Sequence, residues 1–286
     1  MRTTEFFQFI KVRHAIWVCR ERGEPAPWTE DPILQKFRFC NVYRELDKVT
    51  IWIREHWRTP HATDPDLWFA LTVARFFNLP ATLATLGYPV PYRPAELRKR
   101  LKKLTPPVFN AAYMVRSDPG DKIDYVLNAV LAPMWKARKD IWAVINNETL
   151  GTIPPPTLAD IHSVLSQYYG MGSFMAAQVI ADLKYVAPLN RAKDWWTWAA
   201  PGPGSMRGLN RVCGYPTEHP WKDGQVNHWL STLQKLQSEL APLLQKVGMP
   251  RMCAQNTQNA CCEFDKYERA RTGEGRPKQL YRGSGI

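Results

Sequence analysis

The apolar positions of this chain repeat at intervals of three and four residues, the spacing of one helix face. Leu158, Ile161, Val164 and Leu165 make one such set, and Met175, Val179, Ile180 and Leu183 make a second. Gly170-Met171-Gly172 lies between them, so the pattern predicts a helix, a glycine hairpin and another helix over residues 158–184. Near the start, Phe6, Phe9, Ile10, Ile16 and Trp17 mark the buried side of a first helix, which Thr3 or Thr4 can cap and Gly23 ends. A proline-broken connector anchored by Trp28 leads into residues 33–53. There Phe39, Val42, Leu46, Val49 and Ile53 form an apolar helical stripe. Asn41, Arg44 and Lys48 share a different stripe, with Arg38 and Asp47 beside it.

Asp64-Pro65-Asp66 reads as a helix start with Leu67, Ala70, Leu71, Ala74 and Phe77 behind it, and a short helix follows from Pro80 to Gly87. Residues 95–104 predict a basic helix, and residues 121–145 a helix interrupted or kinked near Pro133. Leu230, Leu233, Leu236 and Leu240 outline an amphipathic scaffold helix, and residues 252–271 a last helix with Glu263 and Asp265 among apolar neighbours. Residues 110–115 are strand-like but too isolated to build a sheet, and residues 152–156 form a stiff proline linker. The expectation is a mainly α, single compact domain over 1–286. Its two helical lobes, about 1–150 and 151–272, flank a cleft between Arg38–Asp47 and Gly170–Arg211, and residues 273–286 form a basic, glycine-rich tail that stays flexible until it meets a partner.

In the hairpin, backbone N–H groups at Gly170, Gly172 and Ser173 can grip a nucleic-acid phosphate; the same spacing also describes an ordinary αα-hairpin closed by glycines. Lys193 and Asp194 follow the second helix. This interval resembles the helix-hairpin-helix DNA glycosylases, whose catalytic Asp lies at that distance past the hairpin. The resemblance implies a glycosylase-like fold with Asp194 at the catalytic position. The hairpin lysine of the lyase members would fall near Phe174, which argues against Schiff-base chemistry.

Composition sharpens this picture. The chain has 286 residues, 45% of them hydrophobic, enough for a large core. A formal net charge of +12 suits a polyanion, and Lys99, Arg100, Lys102 and Lys103 form a run that reads either as a solvated face or as a DNA-backbone contact. No apolar run approaches the ~20 residues of a membrane span, and the first residues lack a signal peptide's apolar core, so a cytoplasmic protein is expected. The 6 cysteines are scattered without a C-x-x-C pair, so neither disulfides nor a metal is expected. Neither a P-loop nor a dinucleotide glycine pattern occurs; the chain is not expected to be a kinase itself or to carry a cofactor.

The run Phe37-Arg38-Phe39-Cys40-Asn41-Val42-Tyr43-Arg44-Glu45-Leu46-Asp47 resembles a signature of the α-glutamyl/putrescinyl thymine pyrophosphorylase family, the group that includes amino acid:DNA transferases. That family is related to the helical domain of 5-hydroxymethyluracil DNA kinases. The resemblance continues through the hairpin, the Pro201-Gly-Pro-Gly-Ser-Met-Arg-Gly-Leu-Asn-Arg211 segment and Cys262-Glu-Phe-Asp-Lys-Tyr267 with Arg276-Pro277. It implies a phage-type enzyme acting on double-stranded DNA that carries modified thymine, with a hydroxymethyluracil DNA kinase in the same pathway. An amine from a free amino acid or polyamine would displace phosphate or pyrophosphate from the 5-methylene of the base. Under this reading Arg38, Arg44, Arg207 and Arg211 hold the leaving group, and Asp194 takes the ammonium proton as base. Asp47, Glu263 or Asp265 can instead hold the amine or orient an arginine, and Asn41 can read the base edge. The glycines of 201–208 suit either close approach to a phosphate or a plain surface turn. Of Trp195, Trp196 and Trp198, not all can face the interior, so one, Trp195 foremost, is available to stack on an extruded base. Two other functions compete: a DNA glycosylase, and a non-catalytic DNA-binding accessory module to the kinase.

Overall fold

The computed structural model describes residues 1–111, 120–146, 156–221, 226–277 and 279–281. Among these residues the regular elements are helices, apart from one isolated β-bridge, so the mainly α fold is observed. The strand-like stretch 110–115 and the proline linker 152–156 lie largely outside the described residues. Contacts divide the chain into two units: Met1–Asp47 with Trp196–Ile286, and Lys48–Trp195.

The first unit opens with α1 (Thr3–Glu21), which buries Phe6, Phe7, Phe9, Ile10 and Ile16. The expected threonine cap does not form, because Thr3 already lies inside the helix and its hydroxyl donates to the Glu239 carboxylate. In α2 (Pro32–Lys36) the proline sits in the first turn, where its missing N–H costs nothing, and Asp31 accepts from the Ile33 and Leu34 N–H groups.

The helix expected over 33–53 breaks here. Phe37 pairs with Leu280 in an antiparallel bridge, and the chain runs extended to a 3₁₀ turn at Arg44–Leu46. The donors that a helix would use internally go elsewhere: Arg38 N–H to Gln279 O, Cys40 N–H to Glu263 and Asn41 N–H to Asp47. Burial alternates, with Phe37, Phe39 and Asn41 inside and Arg38 and Cys40 outside, which is strand periodicity. Tyr281 N–H also bonds Lys36 O, so the tail is tied down at this point rather than free.

In the second unit, α3 (Lys48–Ile53) runs into a π-helical turn (Arg54–Arg58). Next come α4 (Leu67–Phe77), buried along its whole length, α5 (Pro80–Leu86) and α6 (Pro94–Leu101). Asp121 caps α7 (Lys122–Asp124), and a π-helical stretch (Tyr125–Leu131) leads into α8 (Ala132–Lys136) and α9 (Arg138–Ile145). The widened π-helical turn just ahead of Pro133 accommodates its missing donor, and the helix expected over 121–145 is interrupted at Ala137, between α8 and α9. α10 (Leu158–Ser166) starts with a capping box between Thr157 and Asp160, and α11 (Gly172–Leu183) completes the hairpin. α11 is fastened to α4 by a buried pair: Arg75 donates to both Asp182 oxygens, each at 2.5 Å, and to Asn78 and Thr50.

The chain then returns to the first unit with α12 (Pro203–Cys213), α13 (Val226–Lys246) and α14 (Ala254–Thr272). α12 lies directly on α14. A Cβ added at Gly208 would stand 1.9 Å from the Cys261 carbonyl oxygen, and one at Gly204 2.5 Å from Cys262 Sγ. Gly204 and Gly208 therefore serve helix–helix contact, where a phosphate loop or a plain surface turn was expected. Phe6 and Phe9 of α1 meet Phe264 of α14 at 5.2 and 5.6 Å, beside Leu209, Trp229, Leu233, Leu236 and Leu240.

Candidate active site

The extended Phe37–Tyr43 segment lies between α1 and α14, and its polar groups are fixed from both sides. From α1, Arg13 Nη2 donates to Phe39 O at 3.0 Å and to Asn41 Oδ1 at 2.7 Å. Asn41 Nδ2 donates to Leu46 O at 2.7 Å, and Asn41 N–H to Asp47 Oδ1 at 3.1 Å. From α14, Glu263 accepts Cys40 N–H at 2.8 Å and pairs with Lys266 at 2.6 Å, while Asn256 accepts Arg44 N–H and Asn259 donates to Asn41 O. Burial raises the Asp47 carboxyl above its usual range, against the opposing pull of the Asn41 N–H, Arg44 and Arg13. The neighbouring Glu263 charge raises the Cys40 thiol well above its ordinary value, so this exposed cysteine is a poor nucleophile. Asn41, Arg44, Asp47 and Glu263, all singled out from sequence, thus share one polar cluster.

Two arginines expected at the leaving group are already matched with carboxylates. Asp265, buried on α14, accepts Arg207 Nε at 3.0 Å and Arg211 Nε at 2.9 Å, and Glu274 accepts both terminal nitrogens of Arg211. Asp265 therefore holds both guanidinium groups. Held by Arg211 and by the Thr272 hydroxyl, the Glu274 carboxyl falls to about 2. The Arg38 side chain is exposed on the face opposite Phe37 and Phe39.

In the second unit the hairpin residues are engaged by their own fold. Gly170 adopts φ +77°, and a Cβ there would stand 2.5 Å from Val130. Gly172, at φ +55°, faces open space, and Ser173 bonds His162. Asp194 accepts the N–H groups of Leu158 at 2.8 Å and Ala159 at 3.1 Å, so both oxygens hold the head of α10. Trp195 donates to Lys184 O at 2.8 Å, and Lys184 Nζ lies 3.7 Å from the Trp195 ring centroid. In the basic run, Lys102 pairs with Asp121 and Arg100 donates to Leu86 O, while Lys99 and Lys103 are exposed.

A family model described as 5-hmdU DNA kinase, helical domain, matches residues 2–276. The chain belongs to this family. A relative, the 5-hmdU DNA kinase of Bacillus phage SP10, is 23% identical across 92% of this chain and 44% of its own length. The chain thus spans less than half of that relative. No solved structure matches it. The kinship with the kinase helical domain that the sequence motifs implied is established. No helix among the described residues is long and apolar enough to cross a membrane.

The residue of this helical domain that sequence reading passed over is Arg13. Its signal lay in the α1 stripe itself: position 13 falls in register with Phe6, Ile10 and Ile16, where a charge is buried only with a purpose. Arg75 and Asp182 were hidden in the same way, inside the apolar faces of α4 and α11.

Proposed function

We propose that this helical domain works in phage DNA hypermodification, replacing the phosphate or pyrophosphate on a 5-(phospho- or pyrophospho-)methyl-deoxyuridine in DNA with an amine. The observation that carries the reading is the meeting of two motifs far apart in sequence, Phe37–Asp47 and Cys262–Tyr267, in one polar cluster around Arg13. The amine arrives protonated. Asp47, whose affinity for protons is raised by burial, takes that proton. The freed lone pair attacks the base's methylene carbon, the C–O bond breaks, and the phosphate departs with the bonding electrons. Arg38, exposed on the outer face of the same extended segment, receives the departing charge, and Asn41 fixes Asp47 from behind. Asp194, with both oxygens on α10, serves the hairpin that approaches DNA through the open backbone at Gly172. The target base leaves the stack to bring its methylene within reach.

The experiment is mass spectrometry of nucleosides after incubating the protein with duplex DNA bearing 5-phosphomethyl- or 5-pyrophosphomethyl-deoxyuridine and a mixture of amino acids and polyamines. A nucleoside that loses the phosphate and gains one amine is the expected product. A second reading, a DNA-binding accessory module to a kinase, is favoured by the 44% coverage of the phage relative. Unchanged nucleosides on DNA that still binds the protein would select it, and release of free base would select a glycosylase.

A further inference from the structure

Around Asn41, opposite charges stand close together without meeting. Arg13 is only 7% exposed; its Nη2 is occupied by Phe39 O and Asn41, but its Nη1 has no hydrogen-bond partner among the described residues. A buried guanidinium donor left in this state is costly unless something else accepts from it. Asp47 and Glu263 both act on the Arg13 charge, yet neither forms an ion pair with it. Asn41 is the spacer: its side chain takes Arg13 Nη2, and its N–H takes one oxygen of Asp47. Glu263 takes both Cys40 N–H and the Lys266 ammonium on Oε2, so its charge is already matched by a cation, whereas Asp47 has one oxygen on Asn41 N–H and no ion pair among the described residues. The remaining groups that bear on this cluster are Arg20 on α1, the Cys40 thiol and Arg44.

A weakly solvated site that keeps a cation and an anion apart is complementary to a ligand carrying both signs. A phosphate here would meet Asp47 and Glu263, and a polyamine would meet Arg13. A zwitterion avoids both conflicts. We propose that this cluster is the subsite for an α-amino acid, with its carboxylate received by Arg13 Nη1 and its ammonium by Asp47. The proposal rests on the amine-transfer reading and narrows it: the donor is an amino acid, and Arg13 is the residue that selects it over a polyamine. The same Asp47 oxygen that holds the ammonium is then placed to remove its proton.

Calorimetric titration of the whole chain with glycine, glutamate, glycinamide and putrescine tests this without requiring turnover. Glycinamide keeps the ammonium and lacks the carboxylate. Glycine or glutamate is expected to bind, with glycinamide and putrescine weaker by about tenfold or more, the value of a charged hydrogen bond. Arg13→Met should weaken amino-acid binding about 10- to 100-fold, and Arg13→Lys, which keeps the charge without the fork, by less. Equal binding of glycinamide, preference for putrescine, no binding of either amino acid, or undiminished binding by a folded R13M protein would each overturn the proposal. Because Arg13 also holds Phe39 and Asn41, R13M can fail to fold; the glycinamide comparison then decides on the native chain. Amino-acid binding without transfer to phosphorylated DNA would remove the transferase and leave the subsite. Transfer at equal rates from glycine and glycinamide would do the reverse.

Discussion

The hairpin of the second unit and the Asn41 cluster of the first are built from the same kinds of residue, acids and bases set among apolar helices, and they use them in opposite ways. In the hairpin unit the buried charges are matched. Asp182 has a bidentate arginine, Asp194 has two backbone N–H groups, and Lys184 has a carbonyl oxygen and an indole face. In the Asn41 cluster a buried arginine keeps an unused donor, and a carboxylate is pushed away from its ordinary proton affinity by burial. Matched polar groups hold a fold together, whereas groups held short of their partners have binding capacity to spare. Charge on a helix is therefore no guide to role until its partner is known.

Variants can break this contrast. The largest effect on stability is expected from Asp182→Ala, which strands Arg75 in the core and should cost about 3–5 kcal/mol in urea unfolding. A stable D182A protein would mean that the α4–α11 pair is not what secures the hairpin. Asp47→Asn keeps the acceptor for Asn41 N–H but cannot take a proton, and transfer should fall about 10²–10⁴-fold with the fold intact. Full-rate transfer by this variant would dissolve the catalytic side of the comparison. Asp194→Asn loses one of two contacts at the head of α10 and should cost about 1 kcal/mol, with transfer falling only as the folded fraction falls. A loss of turnover as deep as that of D47N, without loss of stability, would return the role of base to Asp194.

The smallest effect carries a pH signature. Since the Asp47 carboxyl is raised on folding, the native state holds that proton more tightly than the unfolded chain. The group costs nothing below its unfolded value, near 3.9, and stability is lost as pH rises from there through the folded value. Asn is neutral throughout, so the melting temperature of D47N should match wild type near or below pH 4, exceed it as pH rises through the folded value, and keep a constant margin above it. The opposite slope would mean that Asp47 is stabilised as a carboxylate.

The sequence by itself determined the helices whose apolar positions recur at three and four residues, among them α1, α10 and α11, the interruption near Pro133, and the hairpin glycines. These are local matters of apolar spacing and backbone freedom, which neighbouring residues settle among themselves. Asn41, Arg44, Asp47 and Glu263 were legible as candidates because their motifs resemble a family, although nothing in the motifs said how they would be held. Tertiary structure decided the rest. The apolar spacing of 33–53 suits one helix, yet residues 37–43 run extended, with Glu263, more than two hundred positions away, taking the Cys40 N–H. Gly204 and Gly208 look like a phosphate loop until α14 lies against them. Arg13 reads as one charge on an apolar stripe until the folded chain brings Phe39 and Asn41 to it. In each case a hydrogen bond or a contact to a distant segment outweighs the local preference, and no window of neighbouring residues contains that partner.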